Sequence, residues 1–357
     1  MIEYKIAQES DYLSINNFYN RLHGSKRTIE QFRWEFHDGP LKPGIYIIAV
    51  DSDNNAVVGS QAAMYMNVVL SHGEKILTAK SEDTLVDPTY RGKNIFNNMY
   101  EMLFDECKKN GIEYIWGFTT AIKPFKGMNF EVPWSHSQTL AVSNPIAAYK
   151  YLVKLNSKNK LKDKFKIFGL AAKSYLKLKS SFLFAVPKLK GFQEDIPVAD
   201  ASLIIGNILK TSQSPYFAID QDANYQRWRF YANSNYKTVK TYSLIIENQL
   251  KAFLIIHISD ENIGYIVQAL FDPSLGEKVI EKFIQQSTAK IFRLGVSIIR
   301  NWSFTHTEYN NKENQHFIKV GYTFLDRGVP FVWKSLNNGP LDPSNLISFK
   351  ILSEGTN

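Results

Sequence analysis

The chain has 357 residues, 44% of them hydrophobic and 21% charged, a soluble globular composition long enough for two or three domains. That balance excludes wholesale disorder and collagen-like or disulfide-rich scaffolds, and a single cysteine, Cys107, excludes an internal disulfide and any cysteine-based zinc cluster. The formal charge of +8 is local: Lys150 to Lys190 holds twelve lysines and one acid, Asp163, a net +11, which leaves −3 for the rest.

Asp11 is placed to N-cap a helix whose Leu13, Ile15, Phe18, Tyr19 and Leu22 form an apolar stripe, with Gly24 as its stop. Thr28–His37 predicts a second short helix. Ile45–Val50, the turn Asp51–Asn55 and Ala56–Val69 predict a β-hairpin, and Leu77–Val86 a further strand stopped by Pro88. Ile95, Met99, Met102, Leu103 and Cys107 then recur at helical spacing as far as Asn110-Gly111, which makes Cys107 a core residue. Ile112–Phe118 reads as a buried strand, Ala121–Lys126 as a short helix and Phe130–Val132 as a last strand. This order predicts an α/β sandwich with a mixed sheet.

Several landmarks return in the second half. Gln31-Phe32-Arg33-Trp34-Glu35-Phe36 reappears as Tyr225-Gln226-Arg227-Trp228-Arg229-Phe230, and Trp34 and Trp228 read as equivalent packed residues. Asp87-Pro88 returns as Asp272-Pro273 and Phe125…Phe130 as Phe317…Tyr322, in the same order. The expected organisation is two α/β domains, residues 1–145 and 195–335, a connector over 146–194 and a tail over 336–357. In the connector Lys166, Lys173 and Lys177 share a face beside Phe168, Ala172, Tyr175 and Leu176. Two readings fit: a linker helix with solvated lysines, or a basic amphipathic helix that meets an anionic membrane surface weakly through residues 150–190. Met1–Ser10 is short, polar and charged, unlike a signal peptide, and no apolar run is long enough to span a bilayer, so a cytoplasmic location is expected.

The richest segment for chemistry is Leu85-Val86-Asp87-Pro88-Thr89-Tyr90-Arg91-Gly92-Lys93-Asn94-Ile95-Phe96. A strand ends, a basic glycine-bearing turn follows and a helix begins, so turn N–H groups and a helix N-terminus converge on one place. Arg91 and Lys93 make a diphosphate a natural ligand, although these residues alone equally fit a solvated basic turn. The second half lacks that turn: Asp272-Pro273 runs into Ser274-Leu275-Gly276-Glu277, whose acid disfavours a diphosphate. The seven histidines show no ligand spacing, and no metal is expected.

The segment Val86–Phe96 resembles the cofactor motif of the GNAT superfamily of acyl-CoA-dependent N-acyltransferases, V-x-P-x-Y-R-G-K-G-I-G/F. Asn94 and Phe96 depart from it, at positions usually held by small residues. Ala121…Phe125…Asn129-Phe130 keeps the spacing of a second landmark of the family, with Asn129 in place of a glycine and Phe125 where many members carry a tyrosine that protonates the leaving thiolate. The resemblance implies two GNAT-like mixed-sheet α/β domains joined by the lysine-rich connector, the second degenerate. It implies that Leu85, Val86, Arg91, Gly92, Lys93, Asn94, Ile95 and Phe96 bind acetyl-CoA or another acyl-CoA as co-substrate. Pantetheine is expected between splayed strands near Thr84–Val86 and Trp116–Phe118.

The implied reaction is direct, base-assisted transfer of the acyl group to the amine of a small molecule, an amino sugar being one class, with no DNA partner. Glu82 and then Asp83 are the expected bases, and His136 a third candidate. Strand alternation would send Glu82 and Asp83 to opposite faces, so that only one meets the cleft; each acid also fits a structural ion pair. The alternatives are a Fem-type transferase that uses aminoacyl-tRNA and a non-catalytic ligand-binding module.

Overall fold

The computed structural model describes residues 1–144, 188–212, 215–233, 238–326 and 328–350. The amphipathic segment of the connector and its expected membrane contact lie outside the described residues.

The first half runs β1 (Ile2–Ile6), α1 (Tyr12–His23), α2 (Ile29–Phe36), β2 (Ile45–Asp51), β3 (Ala56–Leu70), β4 (Lys75–Val86), α3 (Ile95–Lys109), β5 (Tyr114–Phe118), α4 (Ile122–Gly127) and β6 (Ser137–Val142). The second runs β7 (Phe192–Glu194), α5 (Ser202–Thr211), β8 (Phe217–Ile219) and α6 (Ala223–Gln226), which passes into a wider helical turn over Arg227–Tyr231. It continues with β9 (Val239–Ile246), β10 (Gln249–Ile258), β11 (Ile263–Phe271), α7 (Glu277–Arg293), β12 (Ile298–Ser303), α8 (Glu308–Lys319), β13 (Thr323–Leu325), β14 (Phe331–Ser335) and β15 (Leu346–Ile347).

Two mixed sheets result. One has the order β1-β2-β3-β4-β5-β14, with β8 on β3 and β15 on β8; the other has the order β13-β6-β12-β11-β10-β9-β7. In each, an antiparallel hairpin leads into a strand whose parallel partner, β5 beside β4 or β12 beside β11, is reached through one long helix. Each sheet then takes its next strand from the other half of the chain: β14 pairs with β5, and β6 pairs with β12.

Helix ends follow local chemistry. Thr28 caps α2 reciprocally: its hydroxyl accepts from the Gln31 N–H and Gln31 Oε1 accepts from the Thr28 N–H. Gly24, at φ 62°, ends α1 in the left-handed region. Two expectations for α1 are corrected. The Asp11 carboxylate accepts from the Gln8 N–H and pairs with Lys5 rather than capping the helix. Leu13 is 61% exposed, because it lies roughly 200° around the helix from Ile15.

The face of the first sheet that carries Ile45, Ile47, Ala79 and Ile115 packs on Ile95, Met99, Leu103 and Cys107 of α3. Cys107 is buried core, and burial pushes its thiol up to about 12. The opposite face carries Tyr46, Met64 and Trp116 and shares one apolar cluster with Phe253, Ile255, Val267 and Leu270 of the second sheet. Trp34 and Trp228 stack inside that shared cluster.

The expected strand Phe130–Val132 does not form. β14 holds the place beside β5, and of the three only Glu131 reaches it, through one bridge to Trp333.

Candidate active site

The site forms where β4 leaves the regular ladder. Ala62 pairs with Glu82 and Ser60 with Leu85, so the register slips by one residue in between. Asp83 takes up that slip at φ 49°, in the left-handed region. Alternation therefore breaks, which corrects the expectation of opposite faces. Asp83 meets Arg27 and Tyr46, and Glu82 pairs with Lys80, all on the inner side; Ser81 and Thr84 turn to Tyr100 on α3. The structure brings both predicted acids to one face.

Asp83 is fully engaged. Arg27 holds it with two hydrogen bonds, at 3.2 and 2.8 Å, and the Tyr46 hydroxyl donates a third at 2.8 Å. Arg27 is itself oriented by Asn16, to whose side-chain oxygen its Nε donates at 2.8 Å, and it covers the Tyr19 ring at 3.8 Å. Glu82 forms an ion pair with the buried Lys80.

A third carboxylate, which the sequence reading did not select, completes the group. Glu35 Oε2 lies 3.6 Å from Arg27 Nη1, outside hydrogen-bond distance. Burial raises its acid form to about 7, the negative charges of Asp83 and Glu82 add to the shift, and Arg27 and Lys80 oppose it. One signal in the sequence could have found it. Glu35 falls at the repeat position of Arg229, where the two copies carry opposite charge. Both side chains line one narrow crevice between the halves, with Met64, Met66, Lys80, Trp116, Tyr225 and Trp228.

The β4–β5 ladder ends beside that crevice, at Lys80 and Trp116. Beyond it the strands part. Gly117 sits at the fork, where an added Cβ would lie 2.9 Å from the Ser81 carbonyl oxygen. Of the two residues expected at the cofactor edge of β4, Leu85 packs toward the inner cluster and Val86 toward the α3 cluster.

The basic turn follows. Asp87 accepts from the Thr89 N–H and hydroxyl and pairs with Arg21 at 2.8 Å, which ties the end of β4 to α1. Arg91, Gly92, Lys93 and Asn94 are all exposed. Gly92 at φ 82° and Asn94 at φ 57° are left-handed, the conformation that leads the turn into α3. The first-turn N–H groups of α3, which starts at Ile95, have no intrahelical acceptor and face the same side as the helix dipole's positive end. Phe96 lays its ring 4.7 Å from Tyr100 and 5.5 Å from Phe125, on the α4 side of the helix. Asn129 is left-handed at φ 60°, a conformation that asparagine tolerates better than most residues.

His136 does not join the acids. Its Nε2 accepts from the Val329 N–H at 3.1 Å, so Nδ1 carries the proton and donates to the Ser137 carbonyl. The second half repeats the first at Asp272, which accepts from the Ser274 N–H and hydroxyl and from Asn207. There the basic turn is absent, and Glu277 at the start of α7 pairs with Lys319. A cavity of about 480 Å³ beside it is bounded by Glu277, Glu308 and Glu313.

Residues 3–132 match the family model described as an acetyltransferase (GNAT) domain. Among solved structures, a protein of unknown function from Enterococcus faecalis, titled a probable N-acyltransferase, superposes with a TM-score of 0.64 at 9% identity, covering 94% of this chain and 72% of its own. A GCN5-related N-acetyltransferase from Anabaena variabilis gives 0.61 at 10%, covering 94% and 73%. The N-myristoyltransferase of Saccharomyces cerevisiae, solved with bound myristoyl-CoA, gives 0.58 at 12%, covering 98% and 87%. At these identities the likeness is one of fold. No curated protein matches the chain.

Proposed function

We propose, from the match of residues 3–132 to the family model of a GNAT acetyltransferase domain, that the protein moves an acyl group from acetyl-CoA to the amine of a small molecule. The observation that carries this reading is the exposed turn Arg91-Gly92-Lys93-Asn94, which opens α3 beside the fork between β4 and β5. Arg91, Gly92, Lys93, Asn94, Ile95 and Phe96 would receive the diphosphate, and Leu85 and Val86 the pantetheine at the edge of the fork. Among the described residues neither Arg91 nor Lys93 has a carboxylate partner, so their charge is available to an anion.

The acceptor would arrive on the inner side, where the carboxylates of Glu82, Asp83 and Glu35 gather beside Arg27 and Lys80. An amino sugar is the first acceptor class to test. Tyr225, Trp228 and Arg229 give the second half a part in that cleft, and the division into residues 1–145 and 195–335 belongs to the same proposal. So does a cytoplasmic location, with weak contact of residues 150–190 with anionic membranes; among the described residues no helix is long and apolar enough to cross a bilayer.

Calorimetry with acetyl-CoA tests the central claim. Wild type should bind, and Arg91→Glu should weaken binding by about tenfold to a hundredfold, the effect of reversing one charge at a phosphate contact. Its melting temperature should stay unchanged, since Arg91 is exposed. A wild type that ignores acetyl-CoA sinks the reading; binding without turnover across a panel of amines would make the protein a binding module.

A further inference from the structure

We propose that Glu35 of α2 is the proton acceptor for the reacting amine, an inference that rests on the acyl-transfer reading above.

Three carboxylates share the inner face, and they differ in what already holds them. Asp83 accepts three hydrogen bonds from Arg27 and Tyr46, and Glu82 is paired with Lys80. Among the described residues, Glu35 has only the looser approach of Arg27, at 3.6 Å. Turning Asp83 toward an incoming amine would break its bonds to Arg27 and Tyr46, and turning Glu82 would break its pairing with Lys80. Glu35 gives up none.

Position supports the same residue. Glu35 lines the crevice with Lys80 and Trp116, the last paired residues of β4 and β5. An acyl group entering between the parted strands would meet its acceptor there. The crevice has about 10 Å³ of room, roughly the space of a single water, and Glu35, Lys80 and Arg229 give it polar walls. The amine proton can therefore pass to Glu35 directly or through one water. The backbone beneath Glu35 is rigid: Thr28 and Gln31 cap α2 on one side, and the stacked Trp34 is its immediate neighbour. The charged and titratable groups around it are Arg27, Lys80, Arg229, Asp83, Glu82, Tyr19, Tyr46 and Tyr225. Burial among them holds its acid form at about 7, where a base can both take up and release a proton near neutral pH.

In the step itself, the ammonium passes one proton to the Glu35 carboxylate and becomes a free amine. Its lone pair forms the C–N bond at the thioester carbonyl. The C–S bond then breaks and its electron pair leaves on sulfur, which takes the second nitrogen proton to become the thiol. Glu35 returns its proton to solvent.

The test combines kinetics with a titration of the free protein. Glu35→Gln should bind acetyl-CoA within about twofold of wild type and lower kcat/KM by about 10²–10⁴-fold, the usual worth of a general base. It should also abolish the limb near pH 7, and Glu35→Asp should recover part of the rate together with that limb. Without any substrate, carboxyl-stretch infrared difference spectra of wild type should show a group titrating at about 7 that is missing from Glu35→Gln. A Glu35→Gln enzyme that keeps the wild-type rate and pH limb, or that keeps the infrared band, overturns the assignment alone. A wild type that binds no acyl-CoA overturns the acyl-transfer reading, and the assignment with it.

Discussion

Trp34 and Trp228 stack with ring centroids 5.4 Å apart and planes 20° from parallel, and each indole N–H donates to the other's backbone carbonyl, at 2.9 and 2.8 Å. The two residues stand 194 positions apart, yet each does for its partner what the partner does for it. Such reciprocity is the mark of a self-complementary contact. It also sets Glu35 and Arg229, the residues that follow each tryptophan, along one crevice.

Removing either ring should be costly and should spoil the other's bond as well. Trp34→Ala and Trp228→Ala are each expected to lose about 3–5 kcal/mol of unfolding free energy in denaturant titrations. Because both variants destroy the same stack, the double variant should fall short of the sum by about 0.5–3 kcal/mol. Strict additivity would show that the pair is not a coupled unit.

Gly117 offers a second test, this time of the fork. A methyl group there would approach the Ser81 carbonyl oxygen to 2.9 Å, so β4 and β5 must shift to admit it. Gly117→Ala should lose about 1–3 kcal/mol of stability, the common cost of overpacking. It should also weaken acetyl-CoA in calorimetry by about tenfold or more, since 1.4 kcal/mol of lost fit already has that effect. Unchanged affinity would mean that the angle between the strands does not govern binding.

The histidines predict how stability responds to acid. Burial lowers His136 to about 4, from the ordinary histidine value of 6.5, and does the same to His306. Between those values the unfolded chain takes up protons that the folded chain refuses. The contribution to stability is therefore complete above about pH 6.5 and is lost as pH falls towards 4. Urea unfolding at pH 5 and pH 7 should show the drop, and His136→Gln should remove roughly half of what His136 and His306 together contribute to it. An unaltered slope in the variant would mean that His136 is charged in the folded state.

The backbone of the turn before α3 is legible in the sequence. The turn Val86–Phe96 could be read because its cues lie within a dozen residues: Pro88 to stop a strand, Gly92 and Asn94 to turn left-handed, Ile95 to open an apolar helical face. The stop at Gly24 is similarly local, whereas Asp11, read as a cap, is drawn to Lys5 and the Gln8 N–H instead. Leu13 misled because apolar character alone does not say which side of a helix it occupies. Phe130–Val132 misled because the place it would fill beside β5 belongs to β14, about two hundred residues further on.

By itself, then, the sequence determined most elements of the first half, the basic turn before α3 and the equivalence of the two tryptophans, all of which rest on backbone preferences and side-chain patterns over short stretches. Only the tertiary structure decided that Glu82 and Asp83 share a face, because that depends on a one-residue slip against β3 which no alternation rule contains. Only it decided which carboxylate keeps its freedom. Asp83 is bound by Arg27 and Tyr46, Glu82 by Lys80, and Glu35 is left in a buried crevice completed by residues from the far half of the chain. A carboxylate's proton affinity is set by the charges and the burial around it, and these come from segments that only folding brings together.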